Sequence, residues 1–250
     1  IDLFRNKTQM QVLGLISFFF TINREDKATL EGILDNFNIN YYNFNEAIEE
    51  LHKKELVEVQ YNHIRIAEQV MATYFFYVVF VKDSLLSFEK LLFNYFGGYK
   101  HRFTDTIIPA NNSFGFERVF SKINPALDRY LASIANDENR TLKFLDQFWF
   151  YKSEDVLSFF SRKINSLTEP KNAEYDTNYE TNDFVHNKEQ TLDYLTRYFR
   201  YQTESFEPSV LLAFEYVRKK PEHLPEFTRR IRETLLFDES DERYGFSRQH

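Results

Sequence analysis

Six glycines in 250 residues constrain this chain more than any other feature of its sequence. Average usage would supply about 17, and glycine is the residue that gives tight hairpins, phosphate-cradling loops and strained catalytic turns their left-handed backbone. A chain this short of glycine is expected to be built of helices. It also has the material for a large core, because 43% of it is hydrophobic and it carries 28 Phe, 16 Tyr and one Trp. There is no cysteine, which excludes a thiol nucleophile, a thiolate metal site and a disulfide scaffold and fits a cytoplasmic location.

The apolar spacing divides the chain into elements. A helix is predicted over 7–22 with Thr8 as its cap, a second after Asn23 with Leu30, Ile33, Leu34 and Phe37 inward, and a third over 44–55 with Phe44, Ala47, Ile48 and Leu51 on one face. Two short alternating runs, 56–60 and 64–66, follow with Tyr61, Asn62 and His63 as the tip between them. Three helices and then a hairpin is the order of a winged-helix domain, assigned to 1–66. Residues 67–250 are expected to form an irregular, solenoid-like helical domain, giving a mostly α fold class. Its helices are placed at 67–82, 84–96, 124–135, 142–151, 154–167, 189–200, 208–219 and 225–236. Gly97 and Gly98 are expected to end the helix that finishes at Phe96, and Asn124 with Pro125 to start another. The polar stretch near 166–188, with Pro170, is expected to be a long loop.

No element of this plan carries recognisable chemistry. The glycines cannot be spaced as a P-loop, and no G-x-S-x-G elbow occurs. The six histidines never recur at i, i+4; the one Glu-x-x-His pair, Glu49 and His52, lacks the second pair that a di-iron bundle needs, and Asp183 with His186 lies in the polar stretch. Asp146 ends an apolar run but falls within helical spacing beside Phe148, Trp149 and Phe150. No catalytic, cofactor-binding or metal-ligating set is therefore assigned. The longest apolar run, 70–81, falls short of the roughly 20 residues of a membrane span and reads as a buried helix. The chain has no basic n-region at its start, and its first residue, Ile1, is not Met, so an excised piece of a longer protein is expected.

Winged helices commonly read DNA through their third helix, which must present cations or amides to the phosphates. Here that helix carries Glu46, Glu49, Glu50 and Glu55 against Lys53 and Lys54, and residues 1–80 hold eleven acids and seven bases. With a net charge of -7, a nucleic-acid partner is not expected. The aromatic blocks at 18–20 and 74–77 point to several helix faces at once and read as core. The cations of Arg218, Lys219 and Lys220 sit where a helix end favours them.

The runs at 13–19, 22–26, 51–57 and 66–74 resemble the region that follows the ATPase core in bacterial STAND NTPases, the relatives in domain order of NLR-type immune ATPases. Stretches at 148–150, 212–217, 220–226 and 243–246 are similar to the helical region after that family's winged helix. The resemblance implies a non-catalytic, sensor-proximal regulatory fragment of an antiphage signalling ATPase, with ATP or ADP and Mg held by an upstream domain. Its implied partners are that domain and a protein trigger or further copies of the protein, with no membrane. The family's latch, a Met-His-Asp-like motif, falls by position on Ile66, Ala67 and Glu68. Ala67 cannot donate the histidine's hydrogen bond to a phosphate, which leaves Glu68 as the nucleotide-latch candidate, beside its role as an acid at a helix start. The alternative reading is a DNA-binding transcriptional regulator whose helical part senses an effector.

Overall fold

In the computed structural model, which describes residues 6–170, 190–201 and 203–235, the chain is mostly helical with one small antiparallel sheet. It forms two compact units, Ile1–Gln147 and Phe148–His250. The element content changes after residue 66, where the last strand ends; the packing divides at 147 because the next helices lie on the first.

The first unit opens with helix α1, Lys7–Phe19, whose cap is Asn6 and not Thr8: the Asn6 side chain accepts from the Gln9 amide. Strand β1, Ile22–Asn23, takes up the residue expected to cap the second helix. Asp26 caps α2, Lys27–Asn36, instead, accepting from the Thr29 amide. Helix α3, Tyr41–Lys53, starts three residues earlier than its apolar spacing indicated, because Asn40 accepts from the Tyr42 and Asn43 amides and satisfies two of the orphan donors of the first turn. Strands β2, Val57–Gln60, and β3, His63–Ile66, pair Val57 with Ile66 and Gln60 with His63, and β3 also pairs with β1, giving the order β1-β3-β2. Tyr61 and Asn62 make the turn, Tyr61 with φ of 54° and its ring in solvent.

Helix α4, Gln69–Phe76, runs into a π-helical segment, Tyr77–Lys82, in which Tyr77 to Val81 are all buried. The apolar run thus reads correctly as core from Phe75 onward, while Val70 at its start is exposed. The π segment presses so closely on α1 that a Cβ on Gly14 would lie 2.4 Å from a Val79 methyl. Here glycine serves close approach of two helices, not a turn.

One expected boundary is sharpened and one corrected. Gly97 and Gly98 stand directly before a break at Tyr99 (φ -126°, ψ 27°), as a helix end there implies, but helix resumes at once, so that α5, Phe88–Phe114, is two helical stretches joined across that kink. The stripe of Phe88, Leu91, Leu92, Phe96, Phe103, Ile107 and Ala110 continues past the kink, and burying it outweighs two poor helix formers. Asn124 and Pro125 do not start a helix either, for both lie inside α6, Phe116–Ile134, which begins after Gly115 at φ of 96°. Proline leaves one amide bond out of α6, a loss the packing of Val119, Ile123, Leu127, Tyr130 and Ile134 overrides. Helix α7, Glu138–Phe148, contains Asp146 as the spacing indicated.

The second unit contains α8, Ser153–Asn165; α9, Gln190–Tyr201; α10, Thr203–Lys219, with Pro208 inside it; a 3₁₀ turn, Pro221–His223; and α11, Leu224–Leu235. Most of the polar stretch expected as a loop lies outside the described residues, as do Asp183 and His186. Among the described residues no helix is long and apolar enough to cross a membrane.

Candidate functional site

The first unit carries a groove of about 640 Å³ bounded by the end of α1, the junction of β3 with α4, and the second half of α5. Its walls follow from three local features. Helix α1 stops at Phe20, where φ of 67° and ψ of -49° turn the chain sharply and leave the ring 54% exposed. Strand β3 ends at Ile66, and Ala67 and Glu68 carry the chain into α4. The kink at Tyr99 then sets the direction in which α5 presents Arg102, Asp105, Ile108 and Pro109 along the groove.

The polar groups of this groove fall into two sets. Its hydroxyls are committed to backbone: Ser17 Oγ donates to Leu13 (2.7 Å), Thr106 Oγ1 to Arg102 (2.7 Å) and Thr73 Oγ1 to Gln69 (3.1 Å). Thr104 Oγ1 donates to the His101 carbonyl and accepts from Gln147 Nε2. None is poised against a base as a nucleophile would be. The cations differ from one another. Arg65 is spent on the neighbouring strand, with its Nε and Nη2 on the Glu58 carboxylate at 2.8 and 2.7 Å. Arg102 lies 3.7 Å from Asp105, with its guanidinium 4.7 Å from the centre of the Phe20 ring, and among the described residues it donates no hydrogen bond.

The latch positions flank this groove. Ile66 and Ala67 line it, whereas Glu68 is not among its lining residues. Glu68 is the N-cap of α4, exposed, and its side chain makes no capping hydrogen bond. The other histidine and acid pair, Glu49 and His52, is also accounted for by local structure: the His52 ring is 3.0 Å from the Val57 carbonyl and ties α3 to β2, while Glu49 faces Arg24 at 3.7 Å. Among the described residues no group of three His, Cys, Asp or Glu is placed to hold a metal.

The outer face of α3 is the second surface with a distinct character. Tyr42, Glu46 and Glu49 are exposed on it and Glu50 is half-buried. Lys53 donates to Glu50 at 2.9 Å, and this bond lowers the Glu50 carboxyl below its ordinary value and raises the Lys53 ammonium above its own. Glu46 and Glu49 keep the face acidic.

Sequence reasoning missed the groove and Arg102. The groove depends on the backbone of Phe20, on a kink at Tyr99 and on residues more than eighty positions apart, for which no periodic signal exists. Comparison of the chain with protein-family models, curated proteins and solved structures finds no match.

Proposed function

We propose that the chain is a non-catalytic regulatory fragment of a STAND-type signalling ATPase, probing the state of an NTPase domain through domain-to-domain contacts. In this reading residues 1–66 act as a winged-helix module, and the helices after them form an irregular array that passes on a trigger, in the setting of antiphage defence. ATP or ADP with Mg belongs to the upstream domain. The observation that carries the reading is the face of α3. In a three-helix module with a hairpin, α3 is the element that would enter a DNA groove, and here it offers Glu46, Glu49 and Tyr42 where phosphates would have to approach. An acidic face with an exposed tyrosine suits a protein neighbour better than a duplex.

Two measurements test this. The reading frame that encodes the chain is expected to carry a P-loop module upstream of Ile1, and a frame without one sinks the proposal. A labelled duplex at low salt is expected to remain unshifted; binding that weakens steeply with added salt would favour the transcriptional-regulator reading.

A further inference from the structure

We propose that the groove between α1, the β3 to α4 junction and α5 docks a short partner segment in which a carboxylate side chain neighbours an apolar one, with Arg102 as the anchor. The inference deepens the reading of the chain as an interface module and rests on it.

Three observations converge on Arg102. The first is the backbone of Phe20: a bulky residue at φ of 67° and ψ of -49° occupies a conformation costly for anything but glycine. Such strain persists where the surroundings hold it, and here it does not serve burial, since the ring stays over half exposed. What the strained turn achieves is to bring the ring within 4.7 Å of the Arg102 guanidinium. The second is the state of that guanidinium. One face rests on the Phe20 ring, the Asp105 carboxylate forms an ion pair at 3.7 Å, too long for a hydrogen bond, and among the described residues the in-plane donors make none. A planar fork supported on one side is arranged to grip a carboxylate with two parallel bonds. The third is the surrounding surface. Ile66 and Pro109 line the groove beside the two exposed apolar side chains Phe20 and Ile108, so an apolar residue next to the carboxylate would find a seat.

Charge separates this place from the rest of the molecule. The chain carries -7 overall, and in the groove Arg65 is taken by Glu58 while Arg102, facing Asp105 at 3.7 Å, is the lining cation whose donors make no hydrogen bond among the described residues. An acidic segment is repelled by most of this surface and accepted here, which gives specificity as well as attraction. A volume of about 640 Å³ suits two or three side chains, within the range of ligand sites in general.

The test uses the 250-residue chain, immobilised and panned against a displayed library of random peptides, with the selected peptides then synthesised and titrated by fluorescence anisotropy. Enrichment of Asp or Glu beside Leu, Ile or Phe is expected. Arg102→Gln is expected to weaken the selected peptides about tenfold or more, Arg102→Lys by less, and Phe20→Gly to weaken them while leaving the melting temperature unchanged or raised. No enrichment over a blank surface, enrichment without acids, or equal binding to Arg102→Gln overturns the proposal. So does a shift of the Arg102 Nε signal by inorganic phosphate or ADP with no response to peptide, which would make the groove a phosphate site. Peptide binding of the expected kind together with a reading frame that lacks an upstream P-loop would leave the groove standing and remove the ATPase reading. The opposite result would do the reverse.

Discussion

The two units of this chain bury different things. In the first, the buried polar residues among those described are the neutral Gln9, Ser17, Thr106 and Thr141, and the interior is otherwise aliphatic and aromatic. Rings meet edge to face, as Phe18 does with Phe103 at 4.8 Å and Phe96 with Phe144 at 5.5 Å, and Gly14 lets α1 lie directly on Val79. The second unit buries charge. Glu226 on α11 is 2% exposed and takes both Nε and Nη2 of Arg230, which also donates to Thr196 at 2.9 Å and approaches Asp193 at 3.4 Å on α9. Lys219 on α10 donates to the Ile164 carbonyl at the end of α8, and Tyr198 donates to the Trp149 carbonyl. One unit is specified by shape and the other by polar pairing as well, so they are expected to fail in different ways.

The largest effect is expected where charge is buried. Glu226→Ala takes from the Arg230 guanidinium the carboxylate that accepts two of its donors, leaving it Asp193 and Thr196 in a site that exposes 12% of its side chain, and should cost about 2 kcal/mol. The double variant Glu226→Leu with Arg230→Met should recover most of that loss, because it removes both charges. Denaturant melts followed by tryptophan fluorescence read this directly, since Trp149, the only tryptophan, belongs to the same unit. Equal damage from the single and double variants would break the contrast between the units.

In the first unit the comparable lesion is steric. Gly14→Ala places a methyl 2.4 Å from Val79 and should cost about 2 kcal/mol through separation of α1 from the π segment. A smaller effect is expected at the start of α3, where Asn40→Ala removes the acceptor for two amides at about 1 kcal/mol. Thermal melts monitored by circular dichroism rank these two against each other.

The smallest effect is acid sensitivity. Hydrogen bonds from Thr29 hold the Asp26 carboxyl below the usual carboxylate range, and one from Arg218 does the same for Glu215. A carboxyl held lower in the folded state contributes stability above its unfolded value and loses it as pH falls through the folded one. Both units should therefore weaken below about pH 4. Because Asp26 is exposed and the Glu215 side chain is about a third exposed, Asp26→Asn and Glu215→Gln should flatten the acid limb only slightly.

What the sequence could disclose follows from the range of the interactions involved. Helix α3 and the hairpin were legible because their determinants are local: Phe44, Ala47, Ile48 and Leu51 repeat at helical spacing and β2 and β3 are two residues apart. The caps were misplaced because Thr8 and Asn6, or Asn23 and Asp26, carry equally suitable side chains, and the choice between them is made by where the chain must turn. Gly97 and Gly98 rightly mark a break, at Tyr99, but not that helix resumes beyond it, and Pro125 reads as a boundary because its cost is local, while the burial that overrides it involves partners on other helices. The groove was illegible for a stronger reason. The exposure of Phe20, the stack on Arg102 and the stand-off of Asp105 exist only once α1 and α5 are packed.

If the acidic face of α3 holds a nucleotide-bound neighbour, as proposed, the rate of ADP release from the full-length protein responds to it. Glu46→Lys with Glu49→Lys, both exposed and outside the core, is expected to speed release while leaving the melting temperature within a degree or two. Release at the unaltered rate, or a full-length protein that holds no nucleotide at all, would contradict it.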